Sequence, residues 1–211
     1  HLWAWLFLFA VAFIWLAPTF WQHVELKSGD IRESYENSEL YQLFYPAYHE
    51  AFGRLREKSL PLWNARQLCG TPTHLHLRLG LFHPFNLTFL WLPTERAMAV
   101  HAFLCLFLMG TGFTLFARSL DLAPIPSFMG GIIYAFSGAS AAAMSRPPVA
   151  AALACLPFCF WTTRHYLRTW RLEYAALAGI AGGLLFLTCQ TPLVVACGVG
   201  IGIYALLGII L

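Results

Sequence analysis

Residues 174–211 contain no charged side chain. A stretch of this kind is typical of membrane-spanning helices, each of which needs about 20 apolar residues. The rest of the chain follows the same trend: 59% of its 211 residues are hydrophobic and 11% are charged, whereas soluble domains carry about 25% charged residues. The sequence therefore predicts an all-α membrane protein, a polytopic helical bundle, because a helix satisfies its own backbone hydrogen bonds inside the bilayer.

Six apolar stretches are candidates for spanning helices. They are residues 2–21, 97–117, 126–144, 149–163 and the two arms of 174–211, which Gln190-Thr191-Pro192 separates. Residues 22–96 are predicted to form a long external loop and residues 97–211 a helical bundle, so the chain is expected to be a single transmembrane domain. Because it begins with His1 and ends inside an apolar run, we expect a fragment of a longer protein.

Short basic loops predict the orientation of the bundle. Residues 164–171 hold three arginines and form the most basic short loop, which the positive-inside rule assigns to the cytoplasm. Counting back through the spans makes Arg118 cytoplasmic, Arg146 and the loop 22–96 external, and the N-terminus cytoplasmic. The expected localisation is the cell membrane, with several passes.

The external loop carries eight of the ten Asp and Glu residues. Pro46 is suited to the first turn of a helix, and leucines alternate with other residues over 74–81, which indicates an extended segment. Non-helical backbone near a membrane must be covered by protein or line a wet cavity, so we expect a cavity at the outer face. The apolar residues after Pro46 follow at helical spacing and predict an amphipathic helix: Tyr48, Ala51, Phe52 and Leu55.

Two segments of this loop resemble motifs of one protein family. LPLWN followed by CGTP (residues 60–64 and 69–72) is similar to a proline- and tryptophan-containing segment of YfhO-type bacterial multi-spanning membrane proteins. FHPFNL (residues 82–87) resembles the aromatic-Tyr-Pro-x-Asn-Leu motif of the same family. The chain differs from the family at Ala65, where the family has proline, and at Arg78, where the family has glutamine.

Three further segments resemble the same family in the same order: FYP (residues 44–46), ARSL (residues 117–120) and YAFSG (residues 134–138). The resemblance therefore covers most of residues 28–192. It implies a GT-C-like fold and a glycosyltransferase that takes a sugar from a polyprenyl-phosphate donor. Transfer to a cell-envelope acceptor, a glycopolymer or a lipid, would occur at the outer face of the membrane.

The resemblance also implies an acidic residue in the first external loop that acts as base or orients the acceptor. Asp30 follows a glycine, as in the family, and Glu39 stands nearer the family spacing before Pro46. Both remain candidates for the catalytic carboxylate. Such a group activates an acceptor hydroxyl or stabilises the positive charge that develops on the sugar.

Substrate binding in such an enzyme needs a cation for the departing lipid phosphate, which arginine matches with its forked guanidinium, and an aromatic ring for the sugar. The candidate binding residues are Trp63, Asn64, Arg66, Arg78, His83 and Arg146. Less specific interpretations stay open: Trp63 as an interfacial anchor, Arg146 as a snorkelling side chain, and the loop acids as solvated groups.

Metal, disulfide and nucleic-acid functions have no support in the sequence. His74, His76 and His83 have no neighbouring Cys or acidic cluster, so no metal site and no cofactor is predicted. Five of the six cysteines lie in apolar runs, where a thiol behaves as a small hydrophobic group. No stripe of Lys and Arg lies on a polar domain, which argues against a nucleic-acid partner; the expected partners are the lipid-linked donor, the envelope acceptor and the bilayer.

Two other functions remain open. A non-enzymatic transporter or lipid-flipping protein would use the same cavity to move its ligand, although no repeated pair of broken helices is visible. An assembly subunit would use the loop only to bind a partner protein.

Overall fold

The computed structural model describes residues 40–61, 63–64, 70–72 and 79–210. The first predicted span and the candidate residues Asp30, Glu39, Arg66 and Arg78 lie outside the described residues. For Asn64 only the backbone is described.

The described chain is all-α apart from one short ladder, which confirms the predicted fold class at this level. In chain order the elements are a π-helical turn (Leu40–Phe44), α1 (Tyr45–Arg56), β1 (Trp63–Asn64), β2 (Thr71–Pro72), a 3-10 turn (Pro84–Leu87), α2 (Thr88–Trp91), α3 (Thr94–Ser119), α4 (Pro124–Ala135), α5 (Gly138–Ala143), α6 (Pro147–Thr169), α7 (Leu172–Leu187) and α8 (Thr191–Ile210).

Two described helices, Thr94–Ser119 and Thr191–Gly208, are long and apolar enough to cross a membrane. The first has 26 residues, which corresponds to about 39 Å at 1.5 Å per residue. Glu95 lies in its first turn and Arg118 in its last. Each charge interacts favourably with the helix dipole at its end. The two helices differ in burial, since 44% of the apolar window of the first is buried and 6% of that of the second.

The segment predicted as a single span, residues 126–144, is instead two helices, and this expectation was wrong. α4 ends at Ala135 and α5 begins at Gly138. Ser137 causes the break because its hydroxyl accepts a hydrogen bond from the Ser140 backbone N–H (3.3 Å) and donates one to the Tyr134 carbonyl (3.1 Å). A serine that caps one helix and closes the previous one favours a turn over a continuous helix.

The other predicted helices that fall within the described residues are present with altered lengths. The segment 149–163 forms part of the longer α6, which begins with Pro147 and Pro148. It ends at Thr169, and the next residue, Trp170, has the left-handed conformation (φ 53°). Residues 174–211 divide between α7 and α8, as the Gln190-Thr191-Pro192 signal predicts. The helix predicted after Pro46 is α1, and it buries the predicted Tyr48, Ala51 and Phe52.

Helices α3, α6 and α8 run in the same direction. The Phe160 ring of α6 lies 5.6 Å from Phe116 of α3 and 5.5 Å from Tyr204 of α8, measured between centroids. Near the ends of α6 and α3, Arg168 donates to the Ser119 carbonyl at 3.2 Å. We call the end at which α3, α6 and α8 begin the loop end, and the end at which they finish the basic end.

Small residues allow the bundle helices to approach closely. Ala150, Ala151 and Ala154 of α6 are buried with Cys105 and Met109 of α3 in one cluster. Between α3 and α4 the contact is closer still, because a Cβ at Gly131 would lie 2.6 Å from the Gly110 carbonyl oxygen and would also clash with Thr114 Oγ1. Contacts of this type are typical of helices that associate in membranes.

Candidate functional site at the loop end

The chain re-enters the bundle through a turn that we call the polar turn, residues 80–86. It begins at Gly80, whose φ is +54°, a left-handed conformation that suits glycine. A Cβ at this position would lie 3.1 Å from the Thr188 carbonyl oxygen at the corner between α7 and α8. Two segments far apart in sequence, the end of the external loop and the α7–α8 corner, therefore meet at the loop end.

Asn86 closes the polar turn. Its side-chain Nδ2 donates to the Gly80 carbonyl at 2.7 Å, and the His83 N–H donates to the same carbonyl at 2.9 Å. The Asn86 side chain is 2% exposed, and its Oδ1 atom has no hydrogen-bond partner in the part of the chain that the structure describes. A buried acceptor without a partner is costly, so this oxygen marks a place where a donor, from water or a ligand, would be stabilised.

His83 caps the 3-10 turn that follows. Its Nδ1 accepts a hydrogen bond from the Phe85 N–H (3.3 Å), and its Nε2 lies 3.8 Å from Cys155 Sγ of α6. Because Nδ1 accepts, the neutral ring carries its proton on Nε2 and can donate it to the sulfur. Burial lowers the pKa of His83 to about 4, since a charged imidazolium loses its hydration there. The ring is therefore neutral at pH 7.

Helix α1 is fastened to the polar turn by a buried tyrosine. The Tyr48 hydroxyl donates to the Leu79 carbonyl at 2.5 Å, and the Tyr48 ring packs 5.0 Å from the Phe89 ring. Burial raises the pKa of Tyr48 well above its usual range, so the hydroxyl stays protonated and remains a donor. Phe52 stacks on Phe89 at 5.2 Å and completes the aromatic cluster.

Polar contacts also hold α1 against the start of α3. Arg56 donates to the carbonyls of Phe89, at 2.7 Å, and Leu92, which are left unpaired at the end of α2. His49 Nδ1 lies 3.1 Å from Thr94 Oγ1. These contacts hold α1 against the end of α2 and the start of α3, as the amphipathic pattern predicts for a helix packed on the spans.

A second histidine lies just inside the bundle below the polar turn. His101 of α3 is 2% exposed, and its Nδ1 lies 3.7 Å from Cys105 Sγ one turn later. The Phe85 ring lies between the two histidines, 4.5 Å from His83 and 6.3 Å from His101. Among the described residues no group of three or more His, Cys, Asp or Glu side chains could hold a metal ion.

Three of the predicted binding residues have described side chains: Trp63, His83 and Arg146. Trp63 is 52% exposed and pairs with Pro72 in the two-residue ladder. Its ring covers Gly70, where a Cβ would lie 2.7 Å from Trp63 Cζ2. Arg146 is exposed just before α6, and His83 is 2% exposed. Within the described residues, the His83 side chain makes its hydrogen-bond and ring contacts with Phe85 and Cys155 and none with Trp63.

The roles of these residues in substrate binding remain predictions. The burial of His83 suits a residue that positions the turn, because its ring is enclosed by protein groups rather than by solvent. The sequence did not indicate that Tyr48, Gly80, Asn86 and Cys155 belong to the polar turn or to the groups that hold it in place. Asn86 could have been found, because an asparagine inside an apolar re-entry segment needs buried partners; the proximity of Cys155 could not.

Comparison with known proteins adds no further evidence: no family model, no curated protein and no solved structure matches this chain.

Proposed function

We propose that the chain is a multi-pass membrane protein. The observation that carries this proposal is the apolar surface of α7 and α8. A helix in the core of a soluble protein is mostly buried, whereas 6% of the α8 window is buried. An exposed apolar surface that extends along two helices favours contact with lipid. The exposed large apolar side chains of these two helices are Leu172, Leu177, Ile180, Phe186, Leu187, Val195, Val199, Ile203, Leu206 and Leu207.

Within this proposal the loop end faces the outside and the basic end faces the cytoplasm. The support is the placement of three arginines: Arg164 and Arg168 lie in the last two turns of α6 and Arg171 just beyond it, as the positive-inside rule predicts for a cytoplasmic end. The N-terminus is then cytoplasmic, and the external loop, the polar turn and the α7–α8 corner are on the same outer side.

For the activity we propose GT-C-like transfer of a sugar from a polyprenyl-phosphate donor to a cell-envelope acceptor at the outer face. The proposal rests on the resemblance to YfhO-type proteins. It is supported by the position of the FHPFNL segment, which forms the polar turn at the proposed outer side. Asp30 or Glu39 would supply the carboxylate, and Arg146 would face the lipid phosphate from the start of α6. The polar turn would shape the site.

The test uses membranes that contain the full chain and a radiolabelled polyprenyl-phosphate sugar. We expect the double variant Asp30→Asn, Glu39→Gln to lose at least 100-fold in transfer rate, because general acid–base groups contribute factors of about 10²–10⁴. The matched control is Glu173→Gln, which removes a carboxylate at the basic end and should keep wild-type transfer. Unchanged transfer by the double variant would refute the carboxylate mechanism.

A transporter or lipid-flipping protein is the second candidate. The observation that favours it is the chemistry of the described loop-end cluster, in which the buried polar groups are the neutral Tyr48, His83 and Asn86. Neutral groups suit a ligand that is moved without bond cleavage. In liposomes with a fluorescent polyprenyl-phosphate lipid, a transporter accelerates movement between leaflets and forms no transfer product. The transferase forms product and leaves the leaflet distribution unchanged.

A further inference from the structure

Four arginines lie at the basic end, and the guanidinium of one has no described oxygen partner. The other three arginines have oxygen partners. Arg118 donates to the Leu122 carbonyl at 2.5 Å, and Arg171 pairs with Glu173 at 2.9 Å. Arg168 contacts both the Ser119 carbonyl and the Asp121 carboxylate at 3.2 Å. Within the described residues Arg164 has no such bond, and its Nε atom is buried. A buried guanidinium N–H without an acceptor is costly, so Arg164 calls for an oxygen ligand.

Helical spacing places Arg164 on the face of α6 that borders α8. Phe160 contacts Tyr204 and Gly200 of α8, and a Cβ at Gly208 would lie 2.8 Å from Leu167 Cδ1. Residues 160, 164 and 167 share one face of a helix because they are separated by four and three positions. The Arg164 side chain therefore emerges on the face of α6 that α8 covers.

A second buried polar group without a partner lies in the same groove. The Tyr204 hydroxyl is buried and makes no hydrogen bond to any described residue, although its ring packs against Phe116 and Phe160. Tyr204 stands on the α8 side of the groove and Arg164 one helical turn beyond Phe160 on the α6 side. Both groups are donors, so the groove offers N–H and O–H groups to an acceptor from outside the chain.

Charge and aromatic composition indicate the kind of acceptor. The basic end has four arginines against Asp121 and Glu173, a formal net charge of 4 − 2 = +2. Trp170 is 63% exposed and Leu172 is 83% exposed, and Trp170 packs against Tyr166 at 5.6 Å. Exposed tryptophan beside arginine and leucine is typical of the headgroup level of a membrane. An anionic phosphate group is abundant at that level and has the oxygens that guanidinium binds through two parallel hydrogen bonds.

We propose that the groove between α6 and α8 at the basic end binds the phosphate of an anionic phospholipid, with Arg164 as the principal ligand and Tyr204 as a second donor. The proposal rests on the membrane placement proposed above and is independent of sugar transfer. A basic groove between spanning helices on the cytoplasmic side is the geometry in which anionic headgroups are held. The bound lipid would then connect α6 to α8 and stabilise their contact.

The test measures the apparent melting temperature of the full chain in a neutral detergent with added phosphatidylglycerol or phosphatidylcholine. We expect phosphatidylglycerol to raise the melting temperature of the wild type more than an equal amount of phosphatidylcholine. Arg164→Gln should lose at least half of that difference. The matched control Arg171→Gln removes the same charge from the same end but from an arginine already paired with Glu173, and it should keep the difference.

Three results would overturn the proposal. They are equal stabilisation of the wild type by the two lipids, equal loss in Arg164→Gln and Arg171→Gln, and full stabilisation by inorganic phosphate or glycerol phosphate, which would indicate a free-anion site. If Arg164→Gln does not fold, Arg164→Lys and Tyr204→Phe replace it, and each should lose part of the phosphatidylglycerol effect. The lipid assay contains no sugar donor, so its result does not depend on sugar transfer. A failure of the lipid proposal can therefore be distinguished from a failure of the proposed transferase activity.

Discussion

Gly80 packs against the Thr188 carbonyl so closely that a Cβ on Gly80 would lie 3.1 Å from that oxygen. This contact joins the end of the external loop to the corner between α7 and α8. The carbonyl of Gly80 simultaneously accepts hydrogen bonds from the Asn86 side chain and the His83 backbone. The polar turn is therefore held both by its own hydrogen bonds and by the α7–α8 corner, which is about 100 residues later in the chain.

Gly80→Ala is expected to destabilise the fold. The left-handed φ of +54° and the close carbonyl both oppose a Cβ, and together such strain costs about 1–3 kcal/mol. The measurement is the free energy of unfolding in detergent. Gly182→Ala is the control, because a Cβ there meets nothing within 4 Å and should leave stability unchanged or slightly higher. Equal effects of the two substitutions would contradict the proposed constraint.

Acidification is expected to weaken the fold through His83. Its pKa is about 4 in the folded chain and about 6.5 in an unfolded one, so between these values the unfolded state binds more protons. Stability therefore falls as the pH is lowered from 6.5 to 4, by up to roughly 3 kcal/mol from this group. His83→Asn keeps an acceptor for the Phe85 N–H and cannot titrate. Its unfolding free energy should vary less with pH than that of the wild type; parallel pH profiles would argue against this role of His83.

Gly131→Ala is expected to separate α3 from α4. Its Cβ would lie 2.6 Å from the Gly110 carbonyl oxygen, and backbone at that distance must move. Overpacking of this kind costs about 1–3 kcal/mol. Thermal unfolding in detergent provides the measurement. Gly179→Ala in α7, where a Cβ meets nothing within 4 Å, is the matched substitution, and an equally large loss there would show that the effect is not specific to the α3–α4 contact.

Arg56→Gln is expected to loosen α1 from the start of the bundle. Arg56 donates to the Phe89 and Leu92 carbonyls, and hydrogen bonds from a charged donor contribute about 1.5–3 kcal/mol each. Because Arg56 is exposed, we expect a loss near the lower bound. Arg54→Gln is the control, since its pair with Glu50 at 2.8 Å is an i, i+4 contact that contributes about 0.3–0.5 kcal/mol. Proteolysis near residues 57–60 should become faster in Arg56→Gln alone.

Much of the helical structure could be predicted from local sequence. The amphipathic spacing after Pro46 predicts α1 with its buried face, and Gln190-Thr191-Pro192 predicts the break between α7 and α8. These signals are local, because periodicity and breakers act within one or two turns of a helix. The division of residues 126–144 is also local in origin, since Ser137 caps α5, but a hydropathy average over a span does not register one capping hydroxyl.

The candidate site could be predicted only in part. His83 and Asn86 belong to a segment that the sequence marks as a re-entry into the bundle, yet the sequence predicts a substrate contact for His83, and the structure encloses its ring beside Cys155. Which residues surround a buried imidazole depends on the packing of α6 against the polar turn. That packing involves residues 72 positions apart and leaves no periodic pattern.

The sequence by itself determined the helical class and the apolar character of the bundle, because composition and short-range spacing control those properties. Only the tertiary structure decided that Gly80 meets Thr188, that His83 is enclosed beside Cys155, and that the buried Nε of Arg164 has no acceptor among the described residues. The physical reason is that each of these contacts depends on how distant helices pack. Packing depends on the shapes of both surfaces together, and neither segment encodes that alone.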